Sequence, residues 1–111
     1  MKVIPYGKQN IDQADIDAVV KVLTADFLTQ GPKIQEFETK FASYVGSKYA
    51  VAVNNATSGL HLSVLSLGLG KGDRVITTPI TFAASANCIR YVGGEAWFAD
   101  TDKDTYLLSL D

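Results

Sequence analysis

Residues 49–67, YAVAVNNATSGLHLSVLSL, decide how this chain reads. Tyr49, Ala50, Val51, Ala52 and Val53 form a short apolar run, rich in β-formers, that predicts a buried strand. A small polar turn follows, Asn54-Asn55-Ala56-Thr57-Ser58-Gly59. Leu60, Val64 and Leu67 then recur at helical spacing, with Leu65 beside them. Strand, small-residue turn and helix together aim free backbone N–H groups at whatever lies above the strand end. A helix N-terminus carries roughly half a positive charge, which suits a phosphate. The same residues also fit an ordinary strand-to-helix connection with Thr57 or Ser58 as N-cap. From this stretch alone both readings stand.

C-terminal to it, Gly68-Leu69-Gly70-Lys71-Gly72-Asp73 is a turn-rich break. Arg74 to Thr78 predicts a second strand, ended by Pro79-Ile80-Thr81. Phe82 to Tyr91 predicts a helix capped by Thr81 and closed by Gly93-Gly94, and Glu95 to Ala99 a third strand. Strands alternating with helices indicate an α/β fold with a mostly parallel sheet and flanking helices. Right-handed crossovers would put the turns after Val53 and Thr78 on one carboxyl edge, where such sheets bind ligands. Asp100, Asp102 and Asp104 then raise the question of a metal. The EF-hand pattern of a Gly at the sixth position and a Glu at the twelfth is missing, so a solvated turn is expected.

On the N-terminal side, residues 1–10 form an extended arm shaped by Pro5 and Gly7. Its Tyr6 could pack on the body or face a ligand, and the residues do not choose between them. Asp12 reads as an N-cap with Asp15 in the first turn, followed by Ile16, Val19, Val20 and Leu23 on one helical face ending near Thr24-Ala25. Asp26-Phe27-Leu28-Thr29-Gln30-Gly31 is a connection. Pro32 starts the next helix, whose face carries Ile34, Phe37, Phe41 and Tyr44 and reads as core, and Gly46 stops it.

With 111 residues, 47 % of them apolar and 20 % charged, the chain is globular in composition. A net charge of −2 leaves no basic footprint for nucleic acid. No apolar run reaches membrane-spanning length, and the N-terminus lacks the apolar core of a signal peptide. The single cysteine, Cys88, permits no internal disulfide, fits a reduced cytoplasm, and reads as a small buried hydrophobe.

Three ordered blocks carry a resemblance: IPYGKQNID, LTADFLTQGPKIQEFETKFASYVGSKYAVAVNNATSGLHL, and RVITTPITFAASANCIRYVGGEAWFAD. The chain resembles the N-terminal part of the DegT-type sugar-nucleotide aminotransferases, enzymes of fold type I that use pyridoxal 5′-phosphate. Within them it looks closest to the members that aminate the 4-keto sugar of a UDP-N-acetylhexosamine on the route to pseudaminic acid. The spellings FLTQGP and NNATSGL, with Tyr6, carry that narrower likeness.

The resemblance implies roles. Ala56, Thr57 and Ser58 would bind the cofactor phosphate, and Phe82 would stack on the pyridine ring. Tyr6, Asp26, Phe27, Leu28 and Thr29, with Ala56, would meet the nucleotide-sugar substrate, and His61 has no matched role. Residues 1–30 would be the arm and first helix, and residues 31–111 part of the large, cofactor-binding domain. The whole enzyme would be a cytoplasmic homodimer taking its amino group from an amino acid, glutamate by expectation. The lysine that holds the cofactor covalently and the aspartate at the pyridine nitrogen match no residue here, so the chain reads as about the first third of such an enzyme, inactive by itself. Two alternatives remain at this point: a non-catalytic α/β module binding a phosphorylated ligand or a partner, and a dehydratase of the same family that replaces the lysine.

Overall fold

Local capping explains the first two helices. In the computed structural model, which describes residues 3–5 and 7–110, α1 spans Gln13–Leu23 and opens on a capping box. The Asp12 carboxylate accepts from the Asp15 amide at 3.1 Å, and the Asp15 carboxylate accepts from the Asp12 amide at 3.1 Å. Helix α2, Pro32–Val45, starts on the expected proline and ends at Gly46, whose φ of 70° is left-handed and suits glycine. Between them Gly31 sits so close to Phe27 that a Cβ there would lie 2.8 Å from the Phe27 carbonyl oxygen. Any larger residue would open that turn.

Helix α3 spans Ala56–Ser66, β1 Arg74–Thr77, α4 Ala84–Tyr91 and β2 Glu95–Phe98. The two strands pair in parallel, with Arg74 opposite Glu95 and Thr77 opposite Phe98. Helix α4 is the crossover between them and packs on both strands and on α3. Contacts divide the chain into two units, Met1–Ala52 and Val53–Asp111.

Four expectations change. The run 49–53 forms no strand, because neither β1 nor β2 pairs with it. Its turn therefore shares no sheet edge with the one after β1 among the described residues. The cap of α3 is Asn55, whose side-chain oxygen accepts from the Ser58 amide at 2.8 Å, rather than Thr57 or Ser58. Helix α4 begins at Ala84 with Ala83 at its N-cap and no side-chain cap; the Thr81 hydroxyl instead meets that of Ser85 at 3.2 Å. Finally, the face of α2 read as core is open, with Phe37 58 % and Tyr44 89 % exposed. Phe37 and Phe41 stack on each other, at 5.8 Å between centroids, without being covered.

Among the described residues the buried apolar side chains are Ala42 in the first unit and Ala84, Cys88 and Ile89 in the second. Cys88 is thus the buried small residue expected, its thiol donating to the Ser85 carbonyl. Ile89, 1 % exposed, lies against Gly94, where an added Cβ would come within 3.1 Å of the Ile89 Cγ2. That contact ties α4 to the start of β2, and the Glu95 amide donates to Asp73 at 2.9 Å beside it. Ile89→Ala should cost about 2–5 kcal/mol. The measurement is amide hydrogen exchange, which should accelerate in β1, α4 and β2; unchanged protection in both strands would contradict this packing.

Candidate functional site

The donors at the start of α3 follow from its cap. Asn55 satisfies the Ser58 amide with its side chain, and its carbonyl accepts from Gly59 at 3.2 Å. The amides of Ala56 and Thr57 and the hydroxyls of Thr57 and Ser58 have no protein acceptor among the described residues. Ala56 is exposed, while Thr57 and Ser58 are half-buried. Four unspent donors at the positive end of an 11-residue helix form a cradle whose chemistry fits a phosphate dianion. Val53 lies beneath this first turn, its Cγ2 3.5 Å from where a Cβ on Gly59 would stand.

Phe82 lies in the turn leading from the carboxyl end of β1 into α4, the helix that packs on α3. Its ring is 77 % exposed, and its carbonyl accepts from the Ser85 amide at 3.0 Å. His61 on α3 meets Tyr91 on α4 edge to face at 5.3 Å, so its ring serves the packing of the two helices.

In the first unit, Asp26 and Phe27 line a cleft of about 220 Å³ with Lys21, Val22, Ala25 and Pro32. Phe27 and Leu28 are 66 % and 63 % exposed, and Thr29 is exposed too. Tyr6 lies outside the described residues. The structure therefore places Ala56, Thr57, Ser58 and Phe82 in one unit and Asp26–Thr29 in the other.

Electrostatics separate candidates from bystanders. Lys33 and Lys40 both hydrogen-bond the Glu36 carboxylate and hold its pKa down from 4.5 to about 2. Both lysines are thereby paired with Glu36, although Lys33 also lines the cleft beside Asp26 and Phe27. The Asp102 carboxylate accepts from the amide and hydroxyl of Thr105 and from the Asp104 amide, which holds it below the usual carboxylate range. That group serves its own turn, closed by an antiparallel bridge between Thr101 and Leu108.

Two residues of consequence escaped the sequence reading. Asn55 had a signal, since asparagine ranks among the best N-caps. Glu38 had none: its carboxylate accepts from the Ala52 amide at 2.8 Å, across 14 positions of sequence.

Comparison with known proteins adds identity to this geometry. Residues 9–111 match the DegT/DnrJ/EryC1/StrS aminotransferase family. The spore coat polysaccharide biosynthesis protein SpsC of Bacillus subtilis is 44% identical over 97% of this chain and 27% of its own length. The UDP-4-amino-4,6-dideoxy-N-acetyl-beta-L-altrosamine transaminase of Campylobacter jejuni is 48% identical over 91% of this chain, again 27% of its own length. Among solved structures, the sugar aminotransferase Spr1654 of Streptococcus pneumoniae in its PLP form superposes with a TM-score of 0.85 at 34% identity, covering 96% of this chain and 27% of that one. Helicobacter pylori PseC, an aminotransferase of pseudaminic acid biosynthesis, gives 0.80 at 35% identity, covering 88% and 27%. The chain thus spans about a quarter of the length of the relatives it matches.

Proposed function

Because the chain belongs to the DegT/DnrJ/EryC1/StrS aminotransferase family, we propose that it supplies the phosphate cradle of a pyridoxal 5′-phosphate-dependent aminotransferase acting on a keto-sugar nucleotide. The observation that carries this is the set of unspent donors at the head of α3, on a chain whose structural relatives include PLP and PMP forms. In this reading Ala56 and Thr57 give their amides to the cofactor phosphate, and Thr57 and Ser58 their hydroxyls. Phe82, exposed in the turn after β1, would stack on the pyridine ring. When bound, the cofactor supplies the electron sink that lets an amino group leave one substrate and join another.

The substrate we propose is a UDP-linked 4-keto-6-deoxy-N-acetylhexosamine, with glutamate as amino donor. The likeness to the Campylobacter transaminase and to PseC supports it. Tyr6, Asp26, Phe27, Leu28, Thr29 and Ala56 would meet that substrate; the exposed Phe27 ring and Asp26 carboxylate of the 26–29 connection suit a sugar and its nucleotide. Residues 31–111 belong to the cofactor domain and residues 1–30 to the arm and first helix. The whole enzyme works as a cytoplasmic homodimer.

The lysine that holds the cofactor lies elsewhere in the whole enzyme, since no lysine of this chain fits the family's position. The test uses the whole enzyme with glutamate and the UDP-keto-sugar, read by mass spectrometry. Formation of 2-oxoglutarate together with the UDP-amino-sugar is expected. Water loss from the sugar without nitrogen gain would replace the reading by a dehydratase. The 111-residue chain alone, mixed with the cofactor and treated with borohydride, should yield no adduct confined to one lysine.

A further inference from the structure

We propose that Glu38 is a positioning residue for the phosphate cradle, an inference that rests on the reading of α3 given above. Helix α2 presents two neighbouring carboxylates with different fates. Glu36 is neutralised by Lys33 and Lys40, whereas Glu38 has no ion-pair partner among the described residues and turns its Oε1 to the Ala52 amide at 2.8 Å. No strand pairs with residues 49–53, so their amides need other acceptors. A side-chain carboxylate takes over that duty.

The other end of the run is tied as well. The Ser47 amide donates to Ala42 at 2.9 Å, and the Ser47 hydroxyl to the Tyr49 carbonyl at 2.9 Å. The run 47–52 is therefore joined to α2 by a backbone bond at Ser47 and by the Glu38 carboxylate at Ala52, and the Ser47 hydroxyl braces it internally. Asn55, which caps α3 and leaves its leading donors unspent, follows Ala52 by three residues, at most about 10 Å of extended chain. Three residues of chain therefore join the amide that Glu38 holds to the cap. Removing the acceptor leaves that amide without a partner and releases the point from which the turn departs. An uncharged acceptor of the same reach should restore it.

The experiment titrates the whole enzyme, stripped of cofactor, with pyridoxal 5′-phosphate and separately with inorganic phosphate. Glu38→Ala and Glu38→Asp, the latter one methylene too short, should each weaken both by about tenfold, with Glu38→Gln within about twofold of the parent. Amide exchange at Ala52 should rise in Glu38→Ala and Glu38→Asp and return in Glu38→Gln, a pattern general destabilisation would not give. If Glu38→Ala does not fold, the Asp and Gln pair decides. Glu38→Asp binding as tightly as the parent, or Glu38→Gln binding as weakly as Glu38→Asp, overturns the proposal. A Thr57→Val/Ser58→Ala variant separates the two levels. Unchanged phosphate binding there removes the cradle and the proposal with it, whereas weakened binding there with a silent Glu38→Ala removes the proposal alone.

Discussion

Replacing Thr57 by Val and Ser58 by Ala together should weaken pyridoxal 5′-phosphate binding to the whole enzyme at least about a hundredfold. Each hydroxyl lost would remove a hydrogen bond to a charged acceptor, about 1.5–3 kcal/mol apiece. The helix itself should survive, because its cap is Asn55 and neither substitution touches that side chain. Circular dichroism should therefore match the parent while the cofactor dissociation constant climbs. Inorganic phosphate, which lacks the ring, should lose affinity in parallel. A double variant holding the cofactor within threefold of the parent would show that the phosphate sits elsewhere. Phe82→Ala would separate the ring from the phosphate, weakening the cofactor and leaving inorganic phosphate untouched.

Expressed by itself, the 111-residue chain should bind a hydrophobic dye, associate as its concentration rises, and melt without a sharp transition. The reason is visible in each unit. In the first, α1 carries Ile16, Val19, Val20 and Leu23 at 47–61 % exposure, and Ala42 is the one buried apolar residue among those described. In the second, the core of Ala84, Cys88 and Ile89 leaves Phe82, Trp97 and Phe98 49–77 % exposed. Apolar surface of that extent marks faces made to be covered. Two strands leave unpaired edges besides, and a sheet that small is marginal in water. Sedimentation at several concentrations, with a thermal scan followed by circular dichroism, checks this. A monomer with one steep transition would contradict it.

Much of this was legible in local chemistry. Asp12 with Asp15, and Pro32 with Gly46, placed the bounds of α1 and α2 because caps and stops act within one turn of the chain. Cys88 is buried, as expected of a lone cysteine with no activating partner in the sequence. Two of the three blocks that resemble the aminotransferase family lie within residues 9–111, the span that matches it, and the first, which starts at Ile4, overlaps the beginning of that span. The donors at Ala56, Thr57 and Ser58 were likewise marked by small residues opening a helix.

The errors share one physical origin. A strand exists only when a second strand accepts its ladder, so the β-rich composition of residues 49–53 could not decide its state. The stripe of Phe37, Phe41 and Tyr44 was a face, but whether a face is core depends on what lies across from it. The bond from Ala52 to Glu38 joins a backbone amide to a side chain 14 residues away, and no spacing rule encodes it. The stretch 49–67 by its sequence alone determined that a helix follows the apolar run and offers its N–H groups at a small polar segment, although the helix starts at Ala56, within the segment read as a turn. Only tertiary structure decided that the run before it is tied to a carboxylate rather than a sheet, and that four donors are left over. Helix starts are settled by neighbours in sequence, whereas ladders, burial and unspent donors are settled by neighbours in space.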